Sequence, residues 1–225
     1  MKRAAIIVAG GKGLRMGSQL PKQFIPVAGM PILCRTILKF LQYDPEIRIY
    51  LALPASHFGI WAQISAPYIP ACKYTMVEGG AERFHSVKNA LDKIPQDIDL
   101  IAVHDGVRPL ISVKTIATAY MEATLHGNAV PCIAPPESIR MAESPDNNHP
   151  IDRGKVKLIQ TPQVFSAEIL RKAYCLPYTP SFTDDASVVE TSGHSIHLID
   201  GERQNIKITT IDDLQYAEYI LSHDS

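Results

Sequence analysis

A chain of 225 residues is long enough for one large domain with a substantial core, and 46% hydrophobic with 20% charged residues is ordinary for a globular protein. Its 22 basic and 23 acidic residues give a formal net charge of -1, so no overall basic field favours nucleic acid or a membrane surface as a partner. The four cysteines are widely spaced without a C-x-x-C pair, which argues against a disulfide framework or a cysteine zinc site and fits a reducing cytoplasm.

The amino terminus has the charge and apolar run of a targeting segment, but the pattern is incomplete. The apolar run ends at Gly10 and is followed by basic residues without a convincing cleavage site. No stretch approaches the length of a membrane span. We therefore expect a cytoplasmic protein without a leader or a membrane anchor.

Short apolar runs alternate with longer amphipathic segments along the chain. The runs typical of strands are, in order, 4–9, 47–53, 74–77, 100–103, 129–134, 157–160 and 196–199. The segments with helical spacing are 32–41, 56–66, 82–93, 113–126, 167–174 and 211–222, and Ser112 and Ser166 stand at N-cap positions. This alternation predicts an α/β fold in which helices cover both faces of a mostly parallel sheet. Such sheets bind ligands at the carboxyl ends of their strands.

One segment, 135–155, departs from the alternation. It contains the turn-forming sequence SPDNNHP, flanked by ESIRMAE and IDRGKVK, and it predicts an extended β-hairpin arm that leaves the main body. The alternative is a mobile surface loop. No internal repeat or linker divides the rest of the chain, so we expect one domain over 1–225 with this arm attached, and an arm that long is expected to pack on something.

The first predicted strand runs into a glycine-rich loop, within AAIIVAGGKGLRMGSQLPKQF at 4–24. The loop is not a P-loop, because Lys12 is followed by Gly13 instead of a hydroxyl residue. It is not a dinucleotide fingerprint either, because Met16 stands where the third glycine is required. The prolines at 21, 26 and 31 predict an irregular path until about Ile32.

Glycines at this position allow backbone N–H groups to approach an anion closely. Lys12, Arg15 and Lys22 add positive charge from several directions. The alternative is a solvated surface loop with incidental lysines. Because the loop follows the carboxyl end of the first strand, we interpret it as a polyphosphate-binding loop.

Two further motifs place polar groups at the same predicted edge. In LIAVHDGVRPLIS, at 100–112, a buried strand is followed by Asp105 and Arg108, and an aspartate there commonly holds a divalent metal or a ribose hydroxyl. Alternatively, Asp105 caps a turn or pairs with Arg108. In GGAERFHSV, at 79–87, a glycine turn enters a helix and suits a base or a phosphate, although an ordinary helix start has the same appearance.

Two late motifs complete the set. FTDDASVVE supplies Thr183 and Asp184. NIKITT supplies Lys207, which we place on an apolar strand, where an unpaired lysine would be unusual.

Taken together, these motifs resemble the sugar-phosphate cytidylyltransferase family, and most closely its 2-C-methyl-D-erythritol 4-phosphate cytidylyltransferases. The matching segments span nearly the whole chain in order: AGGKGLRM, LPKQF, GGAERFHSV, VHDGVRP, IDR, QTPQVF, TDDAS and NIKIT. The related ribitol 5-phosphate cytidylyltransferases share most of them. The segment 83–87 and the pair Asp152 and Arg153 look more like the methylerythritol enzymes.

The resemblance implies a Rossmann-like three-layer nucleotidyltransferase fold with a protruding β-arm. It also implies a homodimer formed through the 135–155 arm. The implied reaction joins CTP and methylerythritol phosphate into a CDP-alcohol, releases pyrophosphate and uses Mg²⁺. Neither nucleic acid nor a membrane is an expected partner.

The resemblance also implies roles for individual residues. Arg15 and Lys22 match residues that stabilise the α-phosphorus of CTP, and Arg153 and Lys207 match residues that position the methylerythritol phosphate. The expected CTP-binding positions are Ala9, Gly10, Gly11, Gly80, Ala81, Ser86, Asp105, Arg108 and Thr183, with Asp105 as the metal ligand. The family often has Ala-Ala-Gly where this chain has Ala-Gly-Gly at 9–11, and an acidic residue can occur at the position of Ala81. The expected contacts there are largely to backbone, so we expect altered loop flexibility without loss of activity.

The chemistry agrees with this assignment. An ionised phosphate oxygen is already a nucleophile, so no general base is required, and catalysis reduces to positioning and charge neutralisation. The alternative from another class is a non-catalytic nucleotide-sensing module on the same sheet. Such a module would need the glycine loop but not Lys22, Arg153 and Lys207 together.

Overall fold

The computed structural model describes residues 1–11 and 20–223. The strands are β1 (Arg3–Val8), β2 (Pro26–Val27), β3 (Met30–Pro31), β4 (Arg48–Leu53), β5 (Tyr74–Glu78), β6 (Leu100–Asp105), β7 (Asn128–Ile133), β8 (Ile139–Ala142), β9 (Asn148–Ile151), β10 (Leu158–Ile159), β11 (Gln163–Ser166) and β12 (Leu198–Asp200). The α-helices are α1 (Ile32–Tyr43), α2 (Phe58–Ser65), α3 (Arg83–Leu91), α4 (Val113–His126), α5 (Ala167–Ala173), α6 (Asp185–Thr191) and α7 (Ile211–His223).

A mixed, mostly parallel sheet forms the centre of the molecule. Its strand order is β10-β7-β11-β6-β1-β4-β5, and β12 pairs in parallel with β7. Strand β1 is parallel to both β6 and β4, and β4 is parallel to β5, whereas β11 runs antiparallel to β6 and β7. The loops that follow β1, β4, β5 and β6 therefore start from one edge of the sheet, which we call the carboxyl edge.

The side chains of β1 alternate between two hydrophobic clusters, one on each face of the sheet. Ala5 and Ile7 belong to the cluster that contains buried residues of α1 and α4. Ala4 and Ile6 belong to the cluster that contains buried residues of α3 and α5. Successive side chains of a strand point to opposite faces, so the two clusters lie on opposite sides of the sheet and a layer of helices covers each face. The predicted three-layer α/β fold is confirmed.

Local chemistry explains where the best-predicted helices begin and end. The Ser112 hydroxyl accepts a hydrogen bond from the Thr115 backbone N–H at the start of α4, and Gly127 ends the helix in the left-handed conformation at φ 81°. Ser166 caps α5 in the same way. Helix α1 begins directly after Pro31, as the proline positions predict.

The 135–155 segment contains an antiparallel hairpin in which β8 pairs with β9. Its four-residue strands are largely exposed, so the predicted β-arm is present. The division of the chain into one domain and a dimerisation arm stays a prediction.

Three local expectations differ from the structure. Strand β11 and helix α6 were not predicted, because each is short and neither has a long periodic pattern. Lys207 lies on irregular backbone instead of a strand.

No helix in the described parts of the chain has the length and apolar character needed to cross a membrane.

Candidate active site

A cavity opens at the carboxyl edge of the sheet, where β1 and β6 end. It brings together most of the predicted site residues, namely Ala9, Gly10, Gly11, Lys22, Gly80, Ala81, Ser86, Asp105 and Lys207. Segments far apart in the sequence thus meet at one place. Residues that follow neighbouring parallel strands are expected to do so, because the carboxyl ends of those strands lie at the same edge of the sheet.

Asp105 lies at the base of this cavity among three cationic side chains. Its Oδ2 is 3.2 Å from Arg108 Nε and 3.2 Å from Lys207 Nζ, and its Oδ1 is 3.7 Å from Arg83 Nε. The pair with Arg108 is the one that the alternative interpretation of this motif gave, and Asp105 also contacts Lys207 and Arg83. Arg83 also pairs with a second carboxylate, that of Asp185, so three cations meet two carboxylates here. The remaining excess of positive charge favours an additional anion.

The charge state of Asp105 follows from this arrangement. Burial alone would raise the pKa of its carboxyl, but Arg83, Lys207 and Arg108 reverse that effect and hold the pKa well below its ordinary value. Asp105 is therefore ionised at neutral pH. It can accept hydrogen bonds or ligate a cation, but it cannot donate a proton.

His104, next to Asp105 on β6, forms part of a buried polar chain. The Asp105 N–H donates to Thr161 Oγ1, which lies 3.0 Å from His104 Nδ1, and His104 Nε2 lies 3.3 Å from the Arg108 carbonyl. A carbonyl only accepts, so Nε2 carries the proton and Nδ1 accepts from the Thr161 hydroxyl. Burial lowers the pKa of His104 to about 3, so its ring is neutral at neutral pH and these hydrogen bonds are kept.

Arg83 is held by an ion pair that the sequence did not reveal. Its Nη1 and Nη2 donate to the two carboxylate oxygens of Asp185 at 2.8 and 2.6 Å, and the Tyr174 hydroxyl donates to Asp185 Oδ1 at 2.6 Å. Asp185 has no solvent exposure. Attraction by Asp185 outweighs the effect of burial and raises the pKa of Arg83 above its ordinary value. The guanidinium is thus fixed beside Asp105 with its charge intact.

Helix α6 fixes Asp185 in turn. Asp184 is the N-cap residue of α6, and its carboxylate accepts from the Ser187 N–H in a capping box. Gln163 of β11 accepts from the Ala186 N–H and donates to Asp184. Within the TDDAS motif, the second aspartate is therefore the residue that holds Arg83. The predicted residue Thr183 is exposed and does not line the cavity.

Two buried neighbours position Lys22 at the cavity. Gln23 is buried and its Nε2 donates to the Ala9 carbonyl at 2.8 Å. Phe24 is buried and stacks on Trp61. With these two side chains directed into the protein, the LPKQF segment places Lys22 at the cavity, beside Gly11.

The opposite wall of the cavity is the glycine turn before α3. The Gly80 N–H donates to Ser86 Oγ, and that hydroxyl donates to the Glu82 carbonyl. A Cβ atom at Gly80 would collide with His85, so the turn requires glycine. The Ser86 side chain therefore shapes this wall through bonds to its own turn.

Lys207 reaches the cavity because its neighbours face inward. Ile208 is buried, and its N–H donates to the Val107 carbonyl at 2.9 Å. Partly buried Ile206 packs against the same apolar cluster, so the intervening Lys207 turns toward Asp105. The lysine whose place in an apolar segment looked unusual thus has a carboxylate partner.

Besides Thr183, three predicted residues are not among the described residues that line the cavity. Arg153 is exposed at the base of the arm, where Nη1 donates to the Pro136 carbonyl. Arg108 lies behind the cavity, paired with Asp105 and with the Asn205 carbonyl. Arg15 lies outside the described residues. Sequence reasoning did not select Arg83, although it stands within the quoted GGAERFHSV motif.

The fold and the site together define a class of protein. A three-layer α/β fold with a glycine-walled cavity, basic side chains and one ionised aspartate at the carboxyl edge suits an enzyme that handles nucleoside triphosphates. The chain is a nucleotidyltransferase.

Comparison with known proteins gives the particular family. The family model described as 2-C-methyl-D-erythritol 4-phosphate cytidylyltransferase matches residues 3–223, and the chain belongs to this family. A protein of that name from Bacteroides fragilis is 45% identical over 222 residues, which cover 98% of this chain and 100% of the relative.

Solved structures agree. The crystal structure of 2-C-methyl-D-erythritol 4-phosphate cytidylyltransferase from Thermus thermophilus has a TM-score of 0.79 at 28% identity and covers 99% of this chain and 100% of its own. The crystal structure of 4-diphosphocytidyl-2C-methyl-D-erythritol synthase from Anaerococcus prevotii has a TM-score of 0.84 at 24% identity. The match covers 99% of this chain and 96% of that structure, and it supports the fold.

Proposed function

We propose that this enzyme transfers CMP from CTP to 2-C-methyl-D-erythritol 4-phosphate, giving 4-diphosphocytidyl-2-C-methyl-D-erythritol and pyrophosphate. The observation that carries the proposal is the meeting of Lys22, Lys207 and Arg83 around Asp105 in one cavity of a chain that belongs to this family. An excess of fixed positive charge is what two phosphorylated substrates require of a shared site.

The chemistry needs no general base. A phosphate oxygen of the acceptor attacks the α-phosphorus of CTP, a new P–O–P bond forms, and the bond to the β-phosphate breaks with pyrophosphate leaving. Repulsion between the dianionic acceptor and the triphosphate opposes the approach. We assign Lys22, together with Arg15, to the charge that develops at the α-phosphate, and Lys207 to the acceptor phosphate.

We also propose that a magnesium ion is held jointly by Asp105 and the nucleotide. Among the described residues, Asp105 does not belong to a cluster of three metal-ligating side chains. Mg²⁺ commonly takes one or two carboxylates, several waters and substrate phosphates, so an ionised Asp105 with the triphosphate suits it. A bound Mg²⁺ would neutralise triphosphate charge, and Asp105 is the residue that would hold it.

Pyrophosphate release tests the substrate assignment. CTP would be supplied with 2-C-methyl-D-erythritol 4-phosphate, with ribitol 5-phosphate or without an acceptor, always with Mg²⁺. We expect rapid release only with the methylerythritol substrate. Faster release with ribitol 5-phosphate would reassign the acceptor, and release at the same rate without an acceptor would exclude the proposed transfer.

The same proposal includes a homodimer in which the arms of two subunits embrace. Arg153 and Lys207 are both assigned to the acceptor phosphate, yet Arg153 lies at the exposed base of the arm. Apolar side chains near the arm support an interface, because Met141 on β8 and Leu158 and Ile159 on β10 are exposed. We propose that Arg153 completes the site of the neighbouring subunit.

Mixed dimers test this arrangement. Arg153→Ala and Lys22→Ala chains, each inactive alone, should regain activity when they exchange subunits, because one site in each hybrid has both intact contributions. Exchange without recovery would place Arg153 in the site of its own subunit or in none.

We also propose a cytoplasmic location and no nucleic-acid partner. The four cysteines are free thiols, which supports a reducing compartment, and the net charge of -1 gives no basic field.

A further inference from the structure

A second cluster of ligand-bearing side chains lies away from the nucleotide cavity. Glu122 and His126 lie one turn apart on α4, and His197 precedes β12. Glu122 Oε2 is 3.3 Å from His126 Nε2 and 3.3 Å from His197 Nε2. The two imidazole rings stack with centroids 3.8 Å apart. Three donor atoms from two separate segments therefore converge within 4.8 Å of one another.

Two of the three spacings in this cluster match those of a metal coordination shell. Zinc bonds to histidine nitrogen and carboxylate oxygen are about 2.0–2.1 Å long, so neighbouring ligands of a tetrahedral ion lie roughly 3.3 Å apart. Both distances from Glu122 Oε2 have this length. Two histidines and one glutamate form a known zinc ligand set that leaves the fourth position to water.

The donor segments are held by bonds that do not involve the ligand atoms. The His197 N–H donates to Asn128 Oδ1 at 2.8 Å, and its carbonyl accepts from the Val130 N–H at 2.9 Å. His126 occupies the last turn of α4, which Gly127 ends. The backbone places the histidines together, so binding an ion would require adjustment of side chains only.

The cluster lies at the edge of the sheet opposite the nucleotide cavity. Asp105 ends β6 at the carboxyl edge, and α4 then runs back across the sheet to His126. Strand β12 is parallel to β7, so His197, just before it, is also at the amino edge. The three side chains are between 24% and 46% exposed, which leaves room for an ion to enter.

We propose that Glu122, His126 and His197 form a binding site for a divalent transition-metal ion of zinc-like character. The two imidazoles favour such an ion over Mg²⁺, which prefers oxygen ligands. Its effect is structural, because the ion joins the end of α4 to the segment that leads into β12. The simpler alternative is an ion pair between Glu122 and protonated histidine that binds no metal.

Zinc titration of the full-length, chelator-treated protein tests the site. The exposed thiols of Cys72 and Cys175 are removed as serines in every sample, so that they cannot bind the metal. Competition with a chromophoric chelator at about pH 7.5 measures the affinity for Zn²⁺. We expect one equivalent of Zn²⁺ to bind, with at least about tenfold weaker binding in the His126→Ala/His197→Ala variant.

A matched control removes two histidines outside the cluster, as His149→Ala/His194→Ala, and should bind as the parent does. Co²⁺ gives an independent measurement, because a tetrahedral nitrogen and oxygen site produces visible bands without thiolate charge transfer. Equal Zn²⁺ affinity in the parent and the His126→Ala/His197→Ala variant would overturn the proposal. Loss of binding only in the control pair would also overturn it.

Discussion

Replacing Arg83 with methionine is the most informative perturbation of the framework that supports the site. The change removes both bonds to Asp185 and leaves a carboxylate with no solvent exposure, to which the Tyr174 hydroxyl still donates. Breaking a buried ion pair by removing one partner costs about 3–5 kcal/mol. Because the Tyr174 bond remains, we expect the lower end, about 3 kcal/mol.

The magnitude translates into a measurable change in thermal stability. For a protein of this size, each kcal/mol lowers the unfolding midpoint by about 2–4 °C, so Arg83→Met should lower it by roughly 6–12 °C. Urea unfolding gives the free-energy change directly. Arg48→Met is the matched control, since Arg48 forms an exposed pair with Asp97 at 3.6 Å and should cost at most about 1 kcal/mol.

A second substitution separates the ion pair from simple loss of packing. In the Arg83→Met background, Asp185→Asn removes the buried charge and keeps an oxygen that accepts from Tyr174, so it should recover part of the lost stability. A loss below about 1 kcal/mol for Arg83→Met, or a further loss on adding Asp185→Asn, would refute this reasoning.

Three other outcomes follow from the site. Lys22→Ala and Arg15→Ala should each lower turnover by roughly 100-fold or more. Calorimetry should show a much smaller loss of CTP affinity in both variants. Near-normal turnover in either folded variant would remove the replaced residue from the catalytic set. CTP should be strongly preferred over UTP in rate assays, because the backbone wall near Gly80 can accept from the cytosine amino group; similar rates would contradict this. The folded pKa of His104 is about 3, below its ordinary 6.5, so unfolded chains bind more protons between these values and stability should fall as pH falls through that window. Urea titrations between about pH 6 and pH 4 measure how the free energy of unfolding changes with pH. His104→Gln should reduce that slope by up to about 1.4 kcal/mol per pH unit, and an unchanged slope would show that His104 is not neutral in the folded protein.

The elements with complete local signals were predictable from the sequence. The bounds of α4 match the prediction because a serine cap begins the helix and a glycine ends it. The convergence of Asp105 and Gly10 was predictable because both follow parallel strands, whose carboxyl ends share an edge.

The remaining features depend on contacts between distant parts of the chain. Arg83 and Asp185 are separated by 102 positions, so no local pattern pairs them. Helix α6 has only seven residues, and its capping box was the signal that could have revealed it. Lys207 looked like a strand residue because apolar neighbours alternate with it, yet its segment bonds to the loop after β6 instead of a strand.

Product analysis tests the central claim most directly. Protein, Mg²⁺, CTP and 2-C-methyl-D-erythritol 4-phosphate would be followed by phosphorus NMR. We predict that the acceptor's phosphomonoester signal is replaced by diphosphate signals of the CDP-alcohol, with pyrophosphate formed in equal amount. Pyrophosphate formed while the acceptor signal stays unchanged, or no reaction by protein shown to bind CTP, would contradict the account.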